Sequence, residues 1–287
     1  REDSNATGVN GTQSNDSASD SGAAYVFTVV PGPSVISINR QTPSGAVTAA
    51  TSVNFRVTFS ESVTGVDTGD FILIKTGAAT GSIASVSSSS GATIDVTVNS
   101  VTGDGGTLDL VLNTRGAGIQ TVSGQAVDVG SVGSQRYTID TTAPTISISG
   151  PSLAKVGRAP VAFTVTYSDA NFGASSLAAD QVTLNKTGTA NGTVSVDPGS
   201  GRARTVRISG ISGAGTLGIS IASGTATDLA GNVAPASSAS ATVQIDPTFG
   251  TPTLTSVSTL PGASKNIGFP IPYEQLAAAA NEADAEG

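Results

Sequence analysis

Val53-Asn54-Phe55-Arg56-Val57-Thr58-Phe59 alternates apolar and polar residues without a break. A period of two predicts a strand that turns Val53, Phe55, Val57 and Phe59 toward one buried face. Shorter apolar runs lie around it at 35–38, Asp70-Phe71-Ile72-Leu73-Ile74, 83–86, 94–101, 108–112 and 136–139, with glycine-rich turns between them. About seven short strands at this spacing predict an immunoglobulin-like sandwich over 32–140.

The pattern then repeats. Phe163-Thr164-Val165-Thr166-Tyr167-Ser168-Asp169 matches Phe55-Arg56-Val57-Thr58-Phe59-Ser60-Glu61, and Asp180-Gln181-Val182-Thr183-Leu184 matches the run from Asp70. Gly192-Thr193-Val194 matches Gly81-Ser82-Ile83, and Thr216-Leu217-Gly218-Ile219 matches Thr107-Leu108-Asp109-Leu110. Gly224-Thr225-Ala226-Thr227-Asp228 matches Gly124-Gln125-Ala126-Val127-Asp128. An internal repeat of this length predicts a second sandwich over 141–246. Each unit closes on the same words: Tyr137-Thr138-Ile139-Asp140 before Thr141-Thr142-Ala143-Pro144, and Val243-Gln244-Ile245-Asp246 before Pro247. The fold class is therefore all-β, two tandem immunoglobulin-like sandwiches with partial flanking segments.

The flanks read differently. Residues 1–24 are small and polar, Tyr25-Val26-Phe27-Thr28-Val29-Val30 predicts a strand, and Pro31-Gly32-Pro33 stops it. After 246 the chain predicts a strand at 252–257 and a short alanine-rich helix at 271–280 with proline near its start. Both ends read as cut from a longer polypeptide.

Composition narrows the function. The net charge is −8 and the pI about 4.4, so a phosphate backbone would be repelled and nucleic acid is an unsuitable partner. An acidic surface suits divalent cations. The chain has no cysteine, which excludes disulfide staples, and no apolar run long enough to predict a membrane span. Without histidine or cysteine there is no Ser-His-Asp or Cys-His machinery and no usual zinc ligand set. Paired carboxylates could cleave glycosides, but tryptophan is absent and aromatics are 4% of residues, so no platform for sugar rings is evident. The expectation is a protein that is not an enzyme.

Carboxylates are the candidates for a site. In such a sandwich the incoming linker, the loop after the second strand and the loop near the last hairpin meet at one pole. For the second unit these supply Asp140, Asp169 and Asp228, with Asn232 nearby, all hard oxygen ligands of the kind Ca²⁺ takes. The first unit offers Glu61, Asp67, Asp70 and Asp128, but its linker, Pro31-Gly32-Pro33, has no carboxylate. The competing reading is that aspartate sits there because it suits turns and strand ends. Lys75, Lys155, Lys186 and Lys265 read as solvated rather than as isopeptide donors. Arg202-Ala203-Arg204-Thr205-Val206-Arg207 reads as the shoulder of a hairpin.

Three stretches carry resemblances. Thr58-Phe59-Ser60-Glu61-Ser62-Val63 and Thr227-Asp228-Leu229-Ala230-Gly231-Asn232 resemble bacterial Ig-like domain repeats of very large secreted or cell-surface adhesins. Ser21-Gly22-Ala23-Ala24-Tyr25-Val26-Phe27 is similar to the end of an FG-GAP repeat, the integrin-α-type propeller blade, over 1–31. Residues 247–287 resemble the start of a cadherin-like domain. The resemblance implies a spacer, stalk or adhesive fibre whose partners are the neighbouring domains of the same chain, other copies in a fibre, or a surface ligand. Two alternatives stand beside it. One is a filament or sheath subunit exchanging strands such as 25–30 or 254–257 between copies; the other is a non-catalytic binding module of a secreted enzyme.

Overall fold

The structure, a computed structural model, describes residues 31–113, 118–128, 130 and 132–249. The FG-GAP-like stretch, the cadherin-like start, the helix at 271–280 and Lys265 lie outside the described residues. The chain forms two compact units, Arg1–Pro247 and Thr248–Gly287. Every described strand belongs to the first.

The first sandwich is built from β1 (Val35–Thr42), β2 (Val47–Thr48), β3 (Val53–Thr64), β4 (Phe71–Thr76), β5 (Thr80–Val86), β6 (Ser90–Thr102), β7 (Thr107–Leu112) and β8 (Tyr137–Ile139). One sheet runs β1-β3-β6-β5 and the other β2-β8-β7-β4. The second sandwich contains β9 (Thr145–Ile148), β10 (Lys155–Val156), β11 (Val161–Ser168), β12 (Phe172–Ser175), β13 (Val182–Lys186), β14 (Asn191–Val196), β15 (Ala203–Ser212), β16 (Gly215–Ile221), β17 (Ala226–Asp228) and β18 (Val243–Ile245). Its sheets run β9-β11-β15-β14 and β10-β18-β16-β13, the same order strand for strand, with a two-stranded ribbon β12-β17 added. Both units are immunoglobulin-like sandwiches. No helix among the described residues is long and apolar enough to cross a membrane.

The alternation that predicted β3 holds in register. Val53, Phe55 and Val57 oppose Val98, Val96 and Ile94 of β6, and all six are buried. In the second sandwich Val161, Phe163 and Val165 oppose Ile208, Val206 and Arg204 of β15. Phe55 and Phe163 thus occupy equivalent places, each facing a valine. Phe55 meets Tyr137 edge to face, ring centroids 5.0 Å apart. Such an aromatic pair adds roughly 0.5–1.5 kcal/mol to the burial itself. The buried clusters of the two sandwiches, one from Val35 to Ile139 and one from Val156 to Ile245, share no residue.

Three local readings change. The strand expected from Asp70 starts at Phe71, because Thr68–Asp70 is a 3-10 turn. Asp67 Oδ1 accepts from Gly69 N at 2.7 Å and Asp70 Oδ2 accepts from Asp67 N at 2.7 Å, a reciprocal cap that holds the turn. The matching run from Asp180 is likewise preceded by a turn, Ala179–Gln181, before β13. β2 and β10 run parallel to β8 and β18 and were not predicted. At two residues each they are too short to show a period.

Candidate metal centre

The junction is organised by Asp140. Its amide donates to Thr48 O at 3.0 Å, which closes the first sandwich, and its side chain is buried. Oδ1 accepts from Thr142 N at 3.1 Å and Oδ2 from Asn171 Nδ2 at 2.7 Å. Asp169 follows β11 directly, and its Oδ1 accepts from Asn171 N at 2.6 Å, a tight side-chain turn. Asp228 ends β17. Its Oδ1 accepts from Asn232 N at 2.8 Å and its Oδ2 from Asn232 Nδ2 at 2.7 Å. Gly231, at φ +91°, lets Leu229-Ala230-Gly231-Asn232 fold back onto that carboxylate. The Asp-Leu-Ala-Gly-Asn string is thus a loop closed on its own first side chain.

Asn232 Nδ2 also lies 2.9 Å from Asp140 O and 3.4 Å from Thr142 O, so it joins the second sandwich to the linker. One carboxylate oxygen from each of Asp140, Asp169 and Asp228 lies within 4.8 Å of the other two. Among the described residues none of the three takes part in an ion pair with lysine or arginine. Like charges this close repel by about 3 kcal/mol per pair at an effective dielectric near 20.

Two further residues complete the junction, and neither was singled out from the sequence. Asp104, in the β6–β7 turn of the first sandwich, accepts from Thr141 N at 2.7 Å through Oδ1 and from Thr142 Oγ1 at 2.9 Å through Oδ2. Asn171 bridges Asp140 and Asp169 from the loop after β11. One signal for Asp104 was present: the turn Gly103-Asp104-Gly105-Gly106 has a carboxylate where Gly213-Ala214-Gly215, its shorter counterpart, has none. The turn is glycine-rich because a Cβ on Gly103 would lie 1.8 Å from Ala78 O. Asp104, Asp140, Asp169, Asn171 and Thr142 line a cleft of about 210 Å³ between the sandwiches. Arg202 stacks over Phe172, 4.8 Å from the ring centroid, and donates to Asp169 O at 2.7 Å.

The donor set fits a hard cation. Ca²⁺ binds oxygen at about 2.3–2.6 Å, so oxygens around one ion lie within roughly twice that distance of each other. The three carboxylates meet that span, and the carbonyls of Asp140 and Thr142 lie beside them. There is no sulfur or imidazole to favour a softer metal.

The first unit does not gather its acids in this way among the described residues. Glu61 stays in β3, which runs on to Thr64 because Val63 and Thr64 pair with Gly91 and Ser90 after a bulge, and its side chain is exposed. Asp70 is buried, but its oxygens accept from the amides of Asp67 and Gly118, so it holds a turn. Asp128 is exposed, and its amide donates to Pro33 O at 2.6 Å.

The basic residues follow expectation in part. Lys155 pairs with Asp246 at 2.8 Å, so the echo of Asp140 is neutralised where Asp140 is not. Lys75 donates to Gly81 O and Lys186 to Asn191 Oδ1, both at exposed positions. Residues 202–207 open the returning strand of the β14–β15 hairpin, as expected, but the Arg204 side chain is buried.

No family model and no curated protein matches the chain. Solved structures with a similar fold include the I9–I11 tandem from titin, at 10% identity over 74% of this chain and 65% of that one, with a TM-score of 0.25. InvD of Yersinia pseudotuberculosis is similar at 16% identity over 73% of this chain and 56% of that one, TM-score 0.31. Domains 5–6 of the S-layer protein SbsC are similar at 16% identity over 74% and 98%, TM-score 0.19. The chain thus spans less than two thirds of the titin fragment and of InvD. These likenesses concern the fold alone.

The Asp104 clamp is sensitive to acid. The Thr141 amide, and after it the Thr142 hydroxyl, hold its carboxyl below the usual range. A depressed folded value means that the stabilisation is complete above the unfolded pKa of about 3.9 and is lost as pH falls through the lower folded value. The expected result is that hydrogen-exchange protection of the Thr141 amide falls below about pH 4 in the native protein, and that Asp104→Asn shows reduced protection with no such acid step.

Proposed function

We propose that this chain is a structural segment of a large extracellular or cell-surface protein, in which two Ig-like sandwiches are coupled so that they hold other domains at a distance. The observation that carries this reading is the double fastening of the linker. Asp104 grips it from the first sandwich, and Asn171 and Asn232 grip it from the second. A flexible tether would have no use for side-chain hydrogen bonds fixing it from both ends, whereas a stiff spacer depends on them. The chain's service is rigidity rather than catalysis. Most of the described aromatics agree with this: Phe55, Phe59, Phe71, Tyr137, Phe163 and Tyr167 are buried in the two cores, while Phe172 is half-buried under Arg202 and Phe249 is exposed.

In the same reading the junction takes Ca²⁺ through Asp140, Asp169 and Asp228. The ion would relieve the repulsion of three close carboxylates and tie the linker to both loops of the second sandwich. Calcium at ten times its dissociation constant adds about 1.4 kcal/mol to the folded state. For a sandwich of this size that raises Tm by about 6–11 °C. The check is calorimetry in calcium and in chelator, with Asp169→Asn as the informative variant because Asp169 is half-buried and its known bond is to its own turn. The rise is expected in the native protein and lost in the variant. Equal melting in calcium and chelator rejects the metal and leaves the spacer reading to be judged by the relative order of the two sandwiches in residual dipolar couplings.

A further inference from the structure

The second sandwich buries a cation that the repeat does not call for. On β15 the inward positions Arg204, Val206 and Ile208 face Val165, Phe163 and Val161. The first sandwich has Ile94, Val96 and Val98 at those places. Two residues earlier, Arg202 stands where the first repeat has Ala92. Arg204 is 6% exposed. Its hydrogen bonds go to uncharged oxygens: Nη1 donates to Ser175 Oγ at 3.2 Å, and Nη2 to Leu177 O at 3.2 Å and Asp197 O at 2.8 Å. Its Nε has no partner. A buried charge with a donor unmet weakens the core that holds it, and an apolar side chain of similar volume often serves that core as well or better. Isoleucine already fills the matching place opposite Val57. Core packing therefore does not account for Arg204.

The contacts of the two arginines do account for them. Arg204 holds Ser175, the last residue of β12, and Leu177 just beyond it. Ser175 is fastened in turn to the loop before β15, its N donating to Ser200 O at 2.9 Å and its Oγ to Gly201 O at 2.9 Å. Arg202, exposed just ahead of β15, covers Phe172, the first residue of β12, and binds the carbonyl of Asp169. One arginine thus grips each end of β12. Across the ribbon Phe172 opposes Asp228 and Ser175 opposes Ala226, and Leu229 N donates to Asn171 O at 2.8 Å. Asp169, Asn171, Asp228 and Asn232 therefore gather at the end of the ribbon that Arg202 holds. Among the described residues the first sandwich, with alanine and isoleucine at the matching places, has no such ribbon. Its β3 runs on past Glu61, and its Asp128 pairs with Ser34.

We propose that Arg202 and Arg204 are positioning residues for the junction, holding the β12–β17 ribbon where its end can present Asn171 and Asn232 to the linker, an assignment that rests on the junction's role as a stiff coupling and not on bound calcium. The test takes Arg202→Ala and Arg204→Ile, the side chains of the first repeat, in the whole chain. In Arg204→Ile the Tm of the second sandwich is expected to stay or rise, while exchange of the Ser176 and Leu229 amides quickens about tenfold or more, as for the loss of a hydrogen bond from a charged donor. In Arg202→Ala the Leu229 amide is expected to quicken likewise, with protection kept in β11 and β16. In both variants the NMR signals of the Asn171 side-chain amide should move toward those of a solvated amide, and residual dipolar couplings should show the two sandwiches less ordered relative to one another. If Arg204→Ile weakens core and ribbon in parallel, the arginine is an ordinary structural residue; if the Asn171 signals stay in place in both variants, the ribbon needs neither arginine. Either result overturns the proposal. Sandwiches without mutual order in the native protein reject the spacer reading instead, and the Asn171 and Leu229 signals still decide this one. Arg202→Ala replaces an exposed side chain, so the test stands even if Arg204→Ile fails to fold.

Discussion

Phe55→Ala is expected to destabilise the first sandwich by about 3–5 kcal/mol while leaving the second folded. Phe55 is fully enclosed, opposes Val96 across the β3–β6 ladder and packs edge-on against Tyr137. Removing the ring forfeits its burial and opens a cavity that the surrounding strands, pinned by their ladders, cannot collapse into. Tyr137 is itself held in place, its hydroxyl donating to Pro43 O at 2.6 Å or Asn54 O at 2.9 Å. A loss of this size is a large share of the roughly 5–15 kcal/mol that holds a domain together. The effect stays in one unit because the two buried clusters have no residue in common. Hydrogen exchange read by mass spectrometry should show protection falling in β3, β6 and β7 and unchanged in β11, β15 and β16. Phe163→Ala should give the mirror image. Parallel loss in both sandwiches from one substitution would mean a single cooperative core.

Asn232→Ala is expected to cost about 2–3 kcal/mol, through hydrogen bonds rather than packing. One amide nitrogen serves the Asp228 carboxylate and two linker carbonyls. Its loss leaves a buried carboxylate short of a donor and unfastens the linker from the second sandwich. The alanine variant should therefore lower the Tm of the second sandwich and loosen the Asp140–Thr142 amides, with the first sandwich little changed. Asn232→Asp separates the two contributions. A fourth carboxylate in the cluster should be more destabilising than alanine in chelator, and calcium should recover part of that loss if the ion binds there. Leu229→Ala, in the same loop at an exposed position, should be close to neutral.

Much of the junction was legible before any coordinates. Asp140, Asp169 and Asp228 were placed together because strand order decides which loops share a pole, and strand order could be read from the repeat. Asn232 entered with them, and its role is now specific: it donates from both its backbone and its side chain to Asp228. The first unit shows the limit of that argument. Glu61 matches Asp169 in the alignment of the repeats, yet a bulge carries β3 past it, so it stays on a strand face. Asp70 looked like a ligand and is a cap. In both cases local pairing, which one chain segment cannot reveal about another, decided where the carboxylate points.

What the chain determines unaided is its periodicity and its repetition. Side chains alternate across a strand whatever its neighbours are, so a buried face such as Val53, Phe55 and Val57 can be read from composition along the run. Two copies of one pattern must then fold alike. What the tertiary structure decided is which polar groups meet. Asp104 reaches Thr141 and Thr142 across the boundary between units, Asn171 reaches Asp140, and Arg204 turns inward where its repeat partner is isoleucine. Those contacts join residues far apart in the chain, and they depend on distances of a few ångströms that only the packed sandwiches set.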